Sequence, residues 1–195
     1  QINYGDTIQK INDIKNPKYE PLYFYCGSMS MHWNKMLRLY NCLSLDELYI
    51  NVNDSKDSYF DKEDYNSIVA IKELLNEIKI CDNIVVYRYM KKRDFLDFLK
   101  NKLTDGVYID YGFVSTTLLP TSAGMIELKR GRRYQIIMKI NVPQNTNGTP
   151  VVYNTNNSKL KEYEILLDAG LKFKYKRKKI DFSLLKYVYE FDIVN

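Results

Sequence analysis

The stretch KEYEILL, residues 161–167, places Glu162 and Glu164 one residue apart at the start of an apolar run. Successive side chains of a β-strand point to opposite faces, so a strand here puts both glutamates on one face. If Ile165 and Leu167 face the core, the glutamates face away from it, which is typical of a solvated strand end. Paired carboxylates can also stabilise a positive centre and orient a cationic nucleophile. The stretch therefore predicts a strand and leaves two interpretations of its glutamates open.

The first half of the chain is helical in character. Apolar residues at helical spacing predict helices over 31–40 and 65–80, and a short helix is predicted over 6–14, ending near Pro17. A polar loop is predicted at 51–58. The apolar stripes of these helices indicate core rather than a site.

The second half is rich in β-forming residues. The predicted strands cover 83–89, 111–117, 134–142, 151–153, 162–167, 171–179 and 184–194. A short helix is predicted around 94–101. Helices followed by strands favour an α+β domain with a mixed or antiparallel sheet. We therefore predict a single domain over 1–195, with a helical layer over about 1–82 and a strand-rich core over about 83–195.

Composition and charge exclude several classes of protein. Hydrophobic residues make up 45% and charged residues 27% of the 195 residues, which is ordinary for a soluble globular domain. No apolar run approaches the roughly 20 residues of a membrane span. No basic-then-apolar leader starts at Gln1, so any export signal is expected to have been removed or never to have been present. The net charge of +5 is small. The lysines of 172–179 predict the solvent-exposed face of a strand, and a nucleic-acid-binding groove is the less favoured alternative.

The cysteines and the histidine argue against metal and triad chemistry. Cys26, Cys42 and Cys81 lack metal-ligand spacing and are interpreted as ordinary buried thiols. His32 is the only histidine and has no nearby cysteine, so we predict no metal site. A Ser-His-Asp mechanism would have to use His32, and no nucleophile-elbow motif accompanies it.

Two patterns elsewhere in the chain suit the binding of a charged ligand. Arg88 ends the strand run 85–89, and its planar fork can donate two parallel hydrogen bonds to a phosphate. A snorkelling surface arginine is the alternative. The segment FVSTT, residues 113–117, predicts a strand with hydroxyl groups at its end. Taken alone, each pattern is weak evidence for a binding site.

Taken in order, Arg88, the Ser-Thr-Thr of 115–117 and the ExE motif of Glu162 and Glu164 resemble the Arg–Ser–Glu group of mono-ADP-ribosyltransferase toxins. The segment WNKMLR, residues 33–38, is similar to a helical element of that family. Residues 136–143 resemble the strand that follows the family's phosphate–nicotinamide loop. The likeness is closest to the enzymatic components of iota-type binary actin-modifying toxins and to Rho-modifying exoenzymes.

The resemblance implies residues that bind NAD. Asn34 and Arg38 lie four positions apart, hence on one helix face, and correspond to a pair that contacts NAD in the family. Arg88 and Arg38 would hold the pyrophosphate, and the backbone around Tyr89 would clamp the nicotinamide amide. A further NAD-contacting arginine falls in a longer loop than in the iota-type toxins, where Arg130 is preferred.

The alternatives to Arg130 are Arg132 and Arg133. The family also has an aromatic residue three positions before the first glutamate, where this chain has Lys159, although Tyr153 could substitute from farther back. We expect the loop over 154–161 to meet the target protein, and a lysine there implies a different, more acidic target surface.

The resemblance also implies catalytic roles. Glu164 would bond the ribose 2′-hydroxyl and stabilise an oxocarbenium-like ribose, and Ser115 would orient Glu164. Glu162 would orient an arginine acceptor and draw off its proton. In the family, a glutamate at the first position of the ExE motif accompanies arginine acceptors, and a glutamine there accompanies asparagine acceptors. Glu162 therefore predicts transfer to arginine.

The resemblance implies a fold of two roughly perpendicular sheets around an NAD cleft, with an amino-terminal helical layer. We expect a secreted virulence factor that acts in the host-cell cytosol, uses NAD as a substrate without a metal, and has NAD glycohydrolase side activity. Actin is the expected acceptor protein. A small GTPase, or a non-catalytic docking module with the same fold, is the alternative.

Further expectations concern assembly. We expect a monomer that spans no membrane and binds no nucleic acid. The iota-type enzymes carry a second, amino-terminal copy of the domain that docks to a translocation partner. This chain is therefore expected to be either a stand-alone enzyme or a piece of a longer toxin.

Overall fold

The computed structural model describes residues 17–41, 44–54, 61–120, 136–151, 164–181 and 186–194. In these residues most helices come first and the strands follow, with one further helix among them, which confirms the predicted α+β class. The helix predicted over 6–14 lies outside the described residues. Within them, no helix has the length and apolar character needed to cross a membrane.

The helical layer is built from four α-helices in the described part of the first half: α1 (Glu20–Phe24), α2 (Ser30–Leu39), α3 (Leu45–Asp54) and α4 (Lys62–Glu77). A 3₁₀ turn at Pro17–Tyr19 precedes α1, and a π-helical turn at Tyr25–Met29 joins it to α2. The helices predicted over 31–40 and 65–80 are confirmed as α2 and α4.

Capping boxes begin α3 and α4. The Ser44 hydroxyl accepts a hydrogen bond from the Glu47 backbone N–H at 3.1 Å, and the Glu47 carboxylate accepts one from the Ser44 N–H at 3.3 Å. Asp61 and Asp64 make the equivalent pair at the start of α4. The polar loop predicted at 51–58 is wrong for its first four residues, which belong to α3. The Ser-x-x-Glu pattern is the sequence signal that identifies this helix.

The described strands are β1 (Ile84–Met90), β2 (Lys102–Thr104), β3 (Val107–Asp110), β4 (Val114–Thr117), β5 (Ile136–Val142), β6 (Gly148–Val151), β7 (Glu164–Leu167), β8 (Leu171–Asp181) and β9 (Lys186–Val194). Helix α5 (Lys92–Lys100) follows β1, as predicted. The hairpin of β2 and β3 is not predicted, because both strands are short. Its signal is the Asp105-Gly106 pair in the turn, where Gly106 has φ +72°.

The strands pair in the order β2-β3-β8-β9-β5-β1-β4-β7-β6. Strands β5 and β9 are parallel and the other pairs are antiparallel, so the sheet is mixed, as predicted. The junction between β1 and β4 consists of one residue pair, Tyr87 opposite Thr117. This pair joins the six strands on one side and the three on the other into one continuous, curled sheet. The junction also brings Arg88 of β1 near the strands that carry Ser115 and Glu164.

Strand β7 separates two hydrophobic cores. Leu166 is buried with Trp33 and Phe113 in a core shared with the helical layer. Ile165 and Leu167, on the opposite face, are buried in a second core within the sheet. Both faces of the strand are therefore covered along its apolar part. The face that Glu164 shares with Leu166 is covered at Leu166 and opens toward solvent at its amino-terminal end, where Glu164 is half-buried.

Leu166→Ala is expected to lower the free energy of unfolding by about 2–5 kcal/mol, because it leaves a cavity between β7 and the helical layer. Urea unfolding followed by circular dichroism measures the change. Leu96→Ala, on the exposed side of α5, is the control and should change stability by less than about 0.5 kcal/mol. A loss below about 1 kcal/mol for Leu166→Ala would contradict the packing described for this strand.

The basic run of β8 lies partly in ion pairs within the protein. Lys139, Arg177 and Lys179 all contact the carboxylate of Glu190, which is 5% exposed. The hydrogen bond from Arg177 and the other two cations lower the pKa of Glu190 to about 2. Strand β8 also pairs with β3 only over 171–174, so its later residues are the more exposed ones. Glu190 offsets one positive charge of this group, and Asp192, 3.1 Å from Lys176, offsets another, so the described run offers a nucleic acid less net charge than its number of basic residues indicates.

Candidate active site

Ser115 and Glu164 meet on adjacent strands. In the antiparallel pair of β4 and β7, Ser115 lies opposite Leu166 and Thr117 opposite Glu164, so all four side chains share one face of the sheet. The Ser115 hydroxyl donates a hydrogen bond to the Glu164 carboxylate. Thr116, on the opposite face, donates to the backbone carbonyl of Ile165 at 2.7 Å. Two residues predicted for the site, 49 positions apart in sequence, are therefore in direct contact.

Arg38 and Arg88 converge on one buried carboxylate, that of Asp110. Arg38 donates from Nε to Oδ1 at 2.8 Å and from Nη2 to Oδ2 at 3.1 Å, and Arg88 donates from Nη1 to Oδ2 at 2.9 Å. The Gly112 backbone N–H donates to Oδ1 at 3.0 Å. Burial alone would raise the pKa of Asp110, but the charges of Arg88 and Arg38 outweigh it and lower the pKa below the ordinary value.

Sequence reasoning did not identify Asp110. A single aspartate at the end of a short strand is common, and the chain holds many carboxylates. Its partners lie 72 and 22 positions away in sequence, on α2 and β1. The contact arises because the tertiary structure brings side chains from α2 and β1 to the end of β3.

Asn34 lies four positions before Arg38 on α2 and is not among the residues that line the neighbouring cleft. Its Nδ2 donates to the Tyr25 hydroxyl at 2.8 Å, and its buried Oδ1 has no hydrogen-bond partner among the described residues. A Cβ atom on Gly112 would lie 2.8 Å from Asn34 Oδ1 and 2.8 Å from the guanidinium carbon of Arg38. Glycine at this position therefore permits the close approach of α2 to the segment between β3 and β4.

Tyr25 connects the arginine cluster to the Ser115–Glu164 pair. Its ring stacks on Trp33 and meets Phe113 edge-on, with ring centroids 6.2 and 5.5 Å away. Burial raises the pKa of the Tyr25 hydroxyl. The positive charge of Arg88 lowers the pKa of this hydroxyl, and the negative charge of Glu164 raises it. The arginine cluster and the Ser115–Glu164 pair therefore lie around the same buried tyrosine.

A cleft of about 430 Å³ opens beside the two arginines. Its lining residues are Arg38, Arg88, Tyr89, Met90, Asp94, Asp97, Phe98, Lys100, Asn101 and Asp110. Several come from α5, and neither Ser115 nor Glu164 is among them. The cleft therefore extends from the arginines toward α5. Guanidinium groups at the edge of such a cleft suit a phosphate.

Tyr89 anchors the segment that follows β4 to β1. Its hydroxyl donates to the carbonyl of Pro120 at 2.7 Å, and burial raises its pKa to about 12. The Tyr89 backbone belongs to β1 and pairs opposite Ile137 of β5.

The remaining predicted site residues lie outside the described part of the chain. These are Glu162, Arg130, Arg132, Arg133, Tyr153, Lys159 and the loop 154–161. Their roles remain predictions.

The described residues contain no group of three or more His, Cys, Asp or Glu side chains that could hold a metal ion. His32 Nε2 instead lies 2.8 Å from Oδ2 of Asp64, and the other carboxylate oxygen, Oδ1, accepts a hydrogen bond from the Trp33 indole at 2.7 Å. Cys26 and Cys81 are partly buried thiols, and Cys42 lies outside the described residues.

The family profile of the ADP-ribosyltransferase exoenzymes matches residues 5–188. The chain belongs to the ADP-ribosyltransferase exoenzyme family. No curated protein sequence matches it significantly.

Solved structures of toxins share the fold. The chain is similar to BECa, the ADP-ribosylating toxin of a binary enterotoxin of C. perfringens solved with NADH, with 20% identity and a TM-score of 0.66 over 98% of this chain. It spans 46% of the BECa chain. It is also similar to the C3 exoenzyme of Clostridium limosum, with 15% identity, a TM-score of 0.66, and coverage of 98% of this chain and 92% of that one.

An ADP-ribosyltransferase of Clostridium botulinum shows a comparable likeness, with 17% identity and a TM-score of 0.63 over 98% of this chain and 93% of that one. These similarities confirm the predicted ADP-ribosyltransferase fold.

Proposed function

We propose that this protein is a secreted toxin that transfers ADP-ribose from NAD to an arginine of a host protein in the host-cell cytosol. The observation that carries the proposal is the hydrogen bond from Ser115 to Glu164 next to the Arg38–Asp110–Arg88 cluster. A docking module with the same fold has no need of such an arrangement. Membership of the family supports the transferase class.

The arginines would bind the pyrophosphate of NAD. Arg88 donates to Asp110 through Nη1 alone, and Arg38 donates through Nε and Nη2. The other N–H groups of the two guanidiniums are left to the phosphates at the edge of the cleft. The backbone around Tyr89 would hold the nicotinamide amide. Asn34, on the same face of α2 as Arg38, would contact NAD. Arg130 would contact NAD from the segment between β4 and β5.

The Ser115–Glu164 pair would act on the bond between nicotinamide and ribose. That bond breaks with its electron pair passing to nicotinamide, which leaves as a neutral molecule, so no general acid is needed. The ribose becomes an oxocarbenium-like cation. The Glu164 carboxylate would bond the 2′-hydroxyl and stabilise the positive charge, while the hydrogen bond from Ser115 keeps this carboxylate in place.

Glu162 would direct the cation to its acceptor. A guanidinium nitrogen of the target arginine forms the new bond to the ribose carbon, and its proton passes to Glu162. When water takes the place of the arginine, the product is free ADP-ribose, which accounts for the expected NAD glycohydrolase activity. No step requires a metal.

As the acceptor protein we propose actin, because the ExE stretch resembles that of the iota-type enzymes. The loop over 154–161 would make the contact, with Lys159 toward an acidic part of the target. We propose that the chain acts as a monomer, delivered by a translocation partner if it is part of a binary toxin. A small GTPase is the alternative acceptor.

Transfer of labelled ADP-ribose from NAD to purified actin and to a host-cell lysate tests the function. We expect one labelled band at the size of actin, carrying ADP-ribose on an arginine when the band is analysed by mass spectrometry. A labelled band of another size would keep the enzyme class and replace the target. Absence of label together with absence of nicotinamide release would overturn the proposed function and favour the docking module.

A further inference from the structure

Asp110 is the innermost member of the arginine cluster. Its side chain is 6% exposed, whereas those of Arg88 and Arg38 are 17% and 36% exposed. The carboxylate therefore lies inside, and the guanidiniums lie between it and solvent. All three residues also line the cleft.

The hydrogen bonds of Asp110 fix the orientation of both guanidiniums. The two-point bond from Arg38 sets the plane of that group, since both donors must align with both oxygens. The bond from Arg88 shares Oδ2 with Arg38 and holds the second group beside the first. The Gly112 N–H holds Oδ1 from the backbone. Two like charges are thus kept close together by one carboxylate that the backbone anchors.

The charge balance leaves the cluster positive. One carboxylate faces two guanidiniums, so the group keeps an excess of one positive charge toward the cleft. Without Asp110 the guanidiniums would repel each other and separate, since like charges in a partly buried site are poorly screened. A pyrophosphate needs both cations at one place, because each phosphate carries its own negative charge.

We propose that Asp110 is a positioning residue that aligns Arg38 and Arg88 for the pyrophosphate of NAD. This inference rests on the proposed function of the arginines. Asp110 acts through them and touches no reacting atom, so its removal weakens the binding of NAD more than it slows the chemical step. Its bonds to both arginines persist when NAD is bound, because NAD takes the donors that Asp110 does not use.

Kinetics of NAD hydrolysis by Asp110→Asn test the inference. The asparagine has the same shape but lacks the charge that holds two cations together. We expect the KM for NAD to rise by about tenfold or more, with kcat changed by less than about threefold. In an Arg38→Gln background the same substitution should raise the KM by a smaller factor, because one of its two partners is already absent.

Asp105→Asn is the matched control. Asp105 is an exposed carboxylate in the turn between β2 and β3, paired with Lys102, and its loss should leave KM and kcat unchanged. Melting curves establish that each variant is folded at the assay temperature. A folded Asp110→Asn protein with an unchanged KM, or with a lowered kcat and an unchanged KM, would overturn the inference.

Arginine side-chain NMR of the unmutated protein provides a measurement that does not depend on the folding of Asp110→Asn. With ¹⁵N-labelled arginine, the Nε–H signal of Arg38, assigned through Arg38→Lys, should remain slow to exchange with solvent in the free protein and after addition of inorganic pyrophosphate. The signals of Arg38 and Arg88 should both shift on that addition. Loss of the Arg38 signal, or a shift of neither arginine, would overturn the inference.

Failure of the proposed function can be distinguished from failure of the inference about Asp110. If the unmutated protein releases no nicotinamide from NAD, the proposed function fails. The pyrophosphate titration then decides the role of Asp110 by itself, because it requires only anion binding by the arginines.

Discussion

Glu164→Gln should lower both NAD hydrolysis and ADP-ribose transfer by about 10³-fold. The substitution removes the negative charge that we place next to the oxocarbenium-like ribose, and that charge is needed in both reactions. The amide oxygen can still accept the hydrogen bond from Ser115, so the strand pairing of β4 and β7 stays intact. Nicotinamide release and transfer of labelled ADP-ribose measure the two rates, and the melting temperature should hardly change.

Glu77→Gln is the matched control for this substitution. Glu77 ends α4, is 59% exposed and pairs with Lys18, away from the site. Its replacement should leave both rates unchanged. If Glu164→Gln kept more than about a tenth of either rate while remaining folded, the assignment of Glu164 to the ribose would be incorrect.

Glu162→Gln should separate the two activities. We expect transfer to arginine to fall by at least about 10²-fold, because the amide cannot draw off the proton of the attacking guanidinium. NAD hydrolysis should change by less than about threefold, because water needs no such assistance once the oxocarbenium-like cation forms. Parallel assays of labelled transfer to protein and of nicotinamide release give the ratio of the two rates.

Glu164→Gln is the reference for that ratio, since it should lower both activities together. Survival of arginine transfer in Glu162→Gln would remove the role assigned to Glu162 and with it the prediction of an arginine acceptor. Loss of both activities would place Glu162 in the cleavage of NAD rather than in the choice of acceptor. Mass spectrometry of the labelled protein identifies the acceptor residue in each case.

The helix and strands that carry much of the candidate site could be predicted because their residues occur in local patterns. The Ser-Thr-Thr run ends a strand, and Glu164 begins another. The two strands pair so that Ser115 and Glu164 share a face. Arg88 is near the end of β1, and Arg38 occupies the predicted helix α2. The helix or strand that carries each residue follows from a period of 2 or 3.6 residues, whereas the role predicted for each residue comes from the resemblance to the family.

Other features could not be predicted, and their physical causes differ. The hairpin of β2 and β3 is too short for periodicity to identify, although its Asp105-Gly106 turn carries a signal. The polar residues of helix α3 weaken its apolar periodicity, so only the capping box at Ser44 indicates a helix there. Asp110 has no local signal, because its importance comes from partners distant in sequence.

The sequence by itself determined the α+β class, the strand at 164–167 and the order of the Arg, Ser and Glu elements, because hydrophobic period and short motifs are properties of neighbouring residues. Only the tertiary structure decided that Asp110 holds Arg38 and Arg88 together, and that Leu166 and Ile165 face two separate cores. Those contacts depend on strand order and on the single pair between Tyr87 and Thr117. Strand order is set by the packing of the whole chain, which local periodicity does not encode.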